Sequence, residues 1–170
     1  MQNGLRIMPH SGGRVGSGIY LASRNGKSAS YVTANGHTGV MFLCEAALGK
    51  QRIITQEGEV DWHDRDPISD HGCNSCLAVG ATEPDPSKDM LFKYDGVKVT
   101  VPQGKLVVNP ALQDVEDGGC SSSPKGGRGY DGYGGLTAFA DSEYLVYDET
   151  QVRIRYVLKM HFDQPGGDWH

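Results

Sequence analysis

The sequence predicts an α+β domain built mostly from antiparallel β-sheet, with few helices. Three observations lead there. From Val152 to Met160, Val152, Ile154, Tyr156, Leu158 and Met160 fall on one face of an extended chain, and Arg153, Arg155 and Lys159 on the other. Leu91–Tyr94 and Val97–Val101 flank Asp95-Gly96, a hairpin signal. Helical punctuation is clear at only one place, where Ser23 offers an N-cap, Lys27 to Val32 a short helix, and Asn35-Gly36 a stop.

The elements follow in order. Residues 1–17 are rich in glycine and short of core residues, and read as a loop. Gly12, Gly13, Gly16 and Gly18 would let backbone N–H groups approach phosphates. Their spacing is not G-x-G-x-x-G, so the Rossmann fingerprint is not met. Gly26-Lys27-Ser28 lacks the earlier glycine of a P-loop, because Leu21 stands there. Gly18-Ile19-Tyr20-Leu21-Ala22 reads as a short buried strand leading into the helix. On that helix Ser28 and Tyr31 are three apart and share a face. With Tyr20 at the strand end, they suit a flat polar ring, on which tyrosines stack and to whose amide a serine bonds.

Val40–Cys44 is a continuous apolar run, expected as a strand buried on both faces. Trp62 anchors the polar stretch that follows. Cys76 to Ala81 returns to apolar residues, and Pro84-Asp85-Pro86 sets an extended turn. Val97, Val99 and Val101 alternate with polar residues, giving a half-buried strand. Leu106-Val107-Val108 adds a short one before Pro110. Residues 114–135 are dominated by Gly and Ser and are expected to be a disordered surface insert. Glu143 opens the strand Glu143-Tyr144-Leu145-Val146-Tyr147, and the long alternating strand follows.

Composition bounds the function. The 170 residues suffice for one domain. With 16 Lys and Arg against 21 Asp and Glu, the net charge is −5, a poor field for holding nucleic acid. Mean hydropathy is −0.44, and no apolar run nears the roughly 20 residues of a spanning helix. No charged-then-apolar leader opens the chain, so a soluble intracellular protein is expected. Four cysteines are too few for a disulfide scaffold. Cys73 and Cys76, near His63 and His71, have metal-like spacing but no second ligand pair. They are read as free thiols, and no metal is expected.

Three blocks resemble a known family. Gly4-Leu5-Arg6-Ile7-Met8-Pro9-His10-Ser11-Gly12-Gly13-Arg14-Val15-Gly16, the stretch Gly18 to Tyr31, and Glu143-Tyr144-Leu145-Val146-Tyr147-Asp148 look like the catalytic domain of the poly(ADP-ribose) polymerases, nearest its PARP-3-like branch. The resemblance implies an ADP-ribosyltransferase fold over residues 1–163, with 164–170 as a tail. It implies NAD+ as substrate, cleavage of the nicotinamide–ribose bond, and transfer of ADP-ribose, singly or as a chain, to protein acceptors, the chain itself included. Glu143 would be the catalytic glutamate, holding the ribose 2′-hydroxyl. Tyr31 would stack on nicotinamide, Ser28 would bond its carboxamide, and Tyr20 would pack at the same end of the pocket. Arg6 would touch the adenosine half, and Gly18 would be among the residues that bind NAD+. The family's His-Gly-Ser/Thr motif precedes the Gly-Leu-Arg block and has no counterpart here; neither His10 nor His161 stands in its place. The domain is therefore expected to be incomplete on its N-terminal side, and the alternative function is an impaired pseudoenzyme or scaffold that binds nucleotide weakly. The branch further implies a nuclear protein of DNA repair, while charge and hydropathy lead to the expectation that this chain binds neither nucleic acid nor membrane.

Overall fold

The computed structural model describes residues 4–8, 13–61, 67–112 and 136–163. The expected insert at 114–135, the tail at 164–170, and the positions of His10, Trp62, His63 and Cys120 lie outside them. Eleven strands and one short α-helix carry the fold among the described residues, which bears out an α+β class dominated by antiparallel pairing.

The central sheet is four-stranded. Strand β1 (Ile19–Leu21) pairs antiparallel with β10 (Glu143–Val146), and β10 pairs antiparallel with β4 (Ser75–Ala78). Strand β3 (Gln51–Ile54) closes the sheet in parallel with β4. A second sheet sets β5 (Gly80–Pro84) between β8 (Leu106–Val108), antiparallel, and β9 (Phe139–Asp141), parallel. The core lies where these sheets meet. Val15, Ile54, Val60, Ile68, Cys76, Ala78, Phe139 and Leu145 form one buried cluster, with Tyr147 packed against it.

The 90–101 region forms the hairpin that Asp95-Gly96 signals. Strands β6 (Met90–Tyr94) and β7 (Val97–Val101) pair in register, and Asp95 (φ 49°) and Gly96 (φ 80°) make the two-residue turn. Val97 is 60% exposed, while Val99 and Val101 are half-buried. After β5, the carboxylate of Asp85 accepts from the Ser87 N–H and caps a short 3₁₀ turn over Pro86–Lys88.

Two expectations are corrected. The run at Val40–Cys44 lies in β2 (Thr38–Ala46) but is not buried on both faces, since Val40, Phe42 and Leu43 are 41–52% exposed. Among the described strands, β2 pairs only with β11 (Val152–His161), in a two-stranded ribbon. A ribbon of two strands lacks the covering layers that a doubly buried strand needs. The alternation along β11 is also broken. Ile154 pairs with Cys44 and Tyr156 with Leu43, so Arg155 is the extra residue of a bulge, and Val152 to Met160 do not share one uninterrupted face. Arg155 instead bonds Glu45 and lies 4.3 Å over the Tyr94 ring, tying the ribbon to the hairpin.

The helix α1 (Asn25–Ala29) begins and ends earlier than expected. Arg24, not Ser23, is its extended N-cap, without a capping side chain, and Ser30 is its C-cap. Asn35-Gly36 falls well past the end; Asn35 bridges Thr38 at the start of β2. Among the described residues, no helix is long and apolar enough to cross a membrane.

Candidate functional site

Glu143 is the first residue of β10 and is 7% exposed. It faces the helix rather than solvent. Lys27 Nζ donates to Glu143 Oε1 at 2.5 Å and to the Asp141 carbonyl at 3.2 Å. One turn earlier, Arg24 Nη1 donates to Asp141 Oδ1 at 2.9 Å, and the Thr82 hydroxyl reaches the same oxygen at 3.3 Å. The geometry follows from two periodicities. Residues i and i+3 of a helix lie about 4.5 Å apart along its axis. Residues i and i+2 of an extended chain lie about 6.6 Å apart on one face. Long basic side chains span the difference, so Arg24 and Lys27 meet Asp141 and Glu143 in order. Lys27 is the donor that the described residues show on Glu143, and it acts on Oε1.

Tyr20 lies opposite Leu145 across the β1–β10 pair, on the face that also carries Glu143. Its hydroxyl donates to the Gly16 carbonyl at 2.8 Å and accepts from the Val15 N–H at 3.0 Å. Tyr20 thus ties the glycine-rich loop to the central sheet, a role that the sequence does not suggest. Burial pushes its phenol up to about 12; the Val15 hydrogen bond opposes this, and the nearby charge of Glu143 adds to it.

Tyr31 is corrected in place. It lies two residues past α1, so it and Ser28 do not share a helical face, although its N–H still bonds the Ser28 carbonyl at 3.2 Å. Tyr31 is 79% exposed and lies near Tyr20. Ser28 is half-buried on α1. Ser23 makes no capping bond and lies beside Tyr144, whose hydroxyl donates to Glu83 Oε1 at 2.9 Å. The structure therefore gathers Tyr20, Lys27, Tyr31 and Glu143.

Arg6 and Gly18 stand apart from that group. Arg6 is exposed and pairs with Glu149 at 3.7 Å, while the neighbouring Ile7 N–H donates to Glu149 Oε1 at 2.8 Å. The first described segment is thus pinned to the β10–β11 connection. Gly18 packs on β10, since a Cβ there would lie 2.8 Å from the Val146 carbonyl oxygen and 3.0 Å from the Tyr147 ring.

Cys76 is fully buried, and burial pushes its thiol up to about 12. Cys73 Sγ lies 3.4 Å from the His71 carbonyl. Among the described residues, no three His, Cys, Asp or Glu side chains gather as a metal-holding group.

The sequence reading missed Lys27, Arg24 and Asp141. The available signal was two cations three apart at a helix start and two carboxylates two apart at a strand start. Only the tertiary pairing of α1 with β9 and β10 joins them.

Comparison with known proteins adds a second line to this geometry. The model of the poly(ADP-ribose) polymerase catalytic domain matches residues 1–162. The chain is 44% identical over 163 residues to the Gallus gallus protein mono-ADP-ribosyltransferase PARP3, covering 95% of this chain and 26% of that protein. It is 42% identical to the Homo sapiens protein of the same name, with the same coverage. To a Drosophila melanogaster poly [ADP-ribose] polymerase it is 30% identical, covering 95% of this chain and 14% of the relative. The chain thus spans about a quarter of the length of its PARP3 relatives. With nearly all of its length matched, this chain belongs to the poly(ADP-ribose) polymerase catalytic domain family.

Proposed function

We propose that the chain acts on NAD+ as an ADP-ribosyltransferase, breaking the nicotinamide–ribose bond and passing ADP-ribose to protein acceptors. The observation that carries this reading is the placement of Glu143. It is a buried carboxylate whose Oε1 is held by Lys27, on the face shared with Tyr20. Family membership supplies the substrate class, and relatives at 42–44% identity bear the name protein mono-ADP-ribosyltransferase.

The reaction builds positive charge on the ribose as nicotinamide leaves. A fixed carboxylate lowers the energy of that charge and costs no reorganisation at the moment of reaction. Glu143 Oε2 would accept from the ribose 2′-hydroxyl, while Lys27 holds Oε1 so that the carboxylate keeps its aim. Tyr31 presents an exposed ring on which nicotinamide would stack, and Ser28 would bond its carboxamide. Tyr20 would form the floor at that end and hold the glycine-rich loop in place through Val15 and Gly16. Arg6 would turn from Glu149 to the adenosine half, and Gly18 would keep the loop close against β10. Proteins, this chain among them, would be the acceptors; a net charge of −5 argues against direct nucleic-acid binding. The nucleus and DNA repair are the setting that the family suggests.

The test is mass spectrometry of the purified chain and a candidate acceptor after incubation with NAD+. A covalent ADP-ribose adduct is expected with the wild-type chain and none with Glu143→Gln. An adduct that survives Glu143→Gln would remove Glu143 from the reaction, and no adduct on any protein would sink the reading.

A further inference from the structure

The chain crosses from one sheet to another at Ser142. Asp141 ends β9, which pairs with β5, and Glu143 begins β10, which pairs with β1 and β4. A single residue, 2% exposed, separates the two carboxylates. The direction in which Glu143 leaves the backbone therefore depends on how this crossing is held.

Buried groups from two other strands hold it. Ser142 Oγ accepts from the Gly80 N–H at 3.1 Å. Asn109, 5% exposed and just past β8, donates from Nδ2 to Ser142 Oγ at 3.1 Å and to the Gly80 carbonyl at 3.0 Å. Asn109 is itself anchored: its Oδ1 accepts from the Ala111 N–H at 3.0 Å, and its own N–H donates to the Ala81 carbonyl at 3.0 Å. Gly80 lets the two backbones touch, because a Cβ there would lie 2.2 Å from the Asp141 carbonyl carbon and the Ser142 nitrogen.

We propose that Asn109 and Ser142 are positioning residues for Glu143. They set the angle of the sheet crossing so that Asp141 meets Arg24 and Glu143 meets Lys27. The proposal rests on the reading of Glu143 as the reacting carboxylate, and neither residue touches substrate. A misplacement of about 1 Å costs about a hundredfold in rate when a group must act at a fixed point, so a loosened crossing lowers turnover without removing any binding group.

Two measurements test it. The first needs no activity. Unfolding equilibria are compared for wild type, Lys27→Met, Ser142→Ala and the double variant. In the wild-type background, loss of Lys27 leaves Glu143 buried without its partner and raises the unfolding constant about a hundredfold. In the Ser142→Ala background the same change is expected to raise it less than about tenfold, because Glu143 no longer sits against Lys27. Asn109→Ala with Lys27→Met repeats the cycle if Ser142→Ala does not fold. Effects that simply multiply would overturn the proposal, since a residue that only stabilises the fold would not change what Lys27 contributes. The second is NAD+ turnover, where Ser142→Ala and Asn109→Ala should lower kcat about a hundredfold with KM little changed. A raised KM with kcat kept would also overturn it. If wild type itself turns over no NAD+, the functional reading fails, and the unfolding cycle still decides the positioning role.

Discussion

Removing Lys27 should cost more than removing any other charge at the site. Its ammonium contacts Glu143 Oε1 at 2.5 Å, and the two side chains keep only 16% and 9% of their surface. At that distance, with an effective dielectric constant of about 20, the attraction is about 7 kcal/mol. Taking both groups from water offsets most of it. The loss in Lys27→Met is a different quantity, because Glu143 stays buried with no compensating charge. Breaking such a pair from one side costs about 3–5 kcal/mol. The low end applies here, since the Lys27 side chain keeps some contact with water. Urea unfolding should therefore show a loss of about 3 kcal/mol at an unchanged m value. Lys27→Met combined with Glu143→Gln removes the stranded charge and should recover at least about 1 kcal/mol of that loss. A cost under about 1 kcal/mol for Lys27→Met, or a double variant no more stable than the single, would refute the claim that this is a desolvated pair.

Other expectations follow from the same coordinates. Gly80→Ala places a Cβ against backbone rather than a yielding side chain, so it should destabilise by about 3 kcal/mol or more, beyond the usual range of overpacking, in the same denaturation assay. A loss under about 1 kcal/mol would show that β5 and the β9–β10 crossing separate easily. Tyr20 should ionise near pH 12 instead of 10, because its neutral form is favoured in the fold. The folded state then binds the proton that the unfolded state releases, so this contribution is complete below about pH 10 and is lost as pH rises to about 12. Ultraviolet titration of wild type against Tyr20→Phe isolates that phenol, and a difference curve centred near 10 would place Tyr20 in open water.

The family was legible because its signals are local. Gly4-Leu5-Arg6, Gly18-Ile19-Tyr20 and Glu143-Tyr144-Leu145 are contiguous strings, and the hairpin at Asp95-Gly96 is set by two residues whose backbone must adopt positive φ. The start of β10 at Glu143 and the pairing potential of 152–161 are likewise written in short-range patterns. What misled was also local. Ser23 has the chemistry of an N-cap, yet it lies beside Tyr144, and Arg24 takes the cap position with its side chain held by Asp141. Val40–Cys44 is apolar on both faces, but burial depends on what lies above and below a strand, and among the described strands β2 has only β11 beside it.

The sequence by itself determined the family, the strand-rich class and the identity of the candidate glutamate, because residue type and period are properties of a few neighbours. Tertiary structure alone decided which groups serve that glutamate. Lys27 lies 116 residues from Glu143 and Asn109 lies 33 from Ser142. No periodicity links such positions; they meet because the chain changes sheets at Ser142, where a buried amide and a glycine leave the backbone one direction to take.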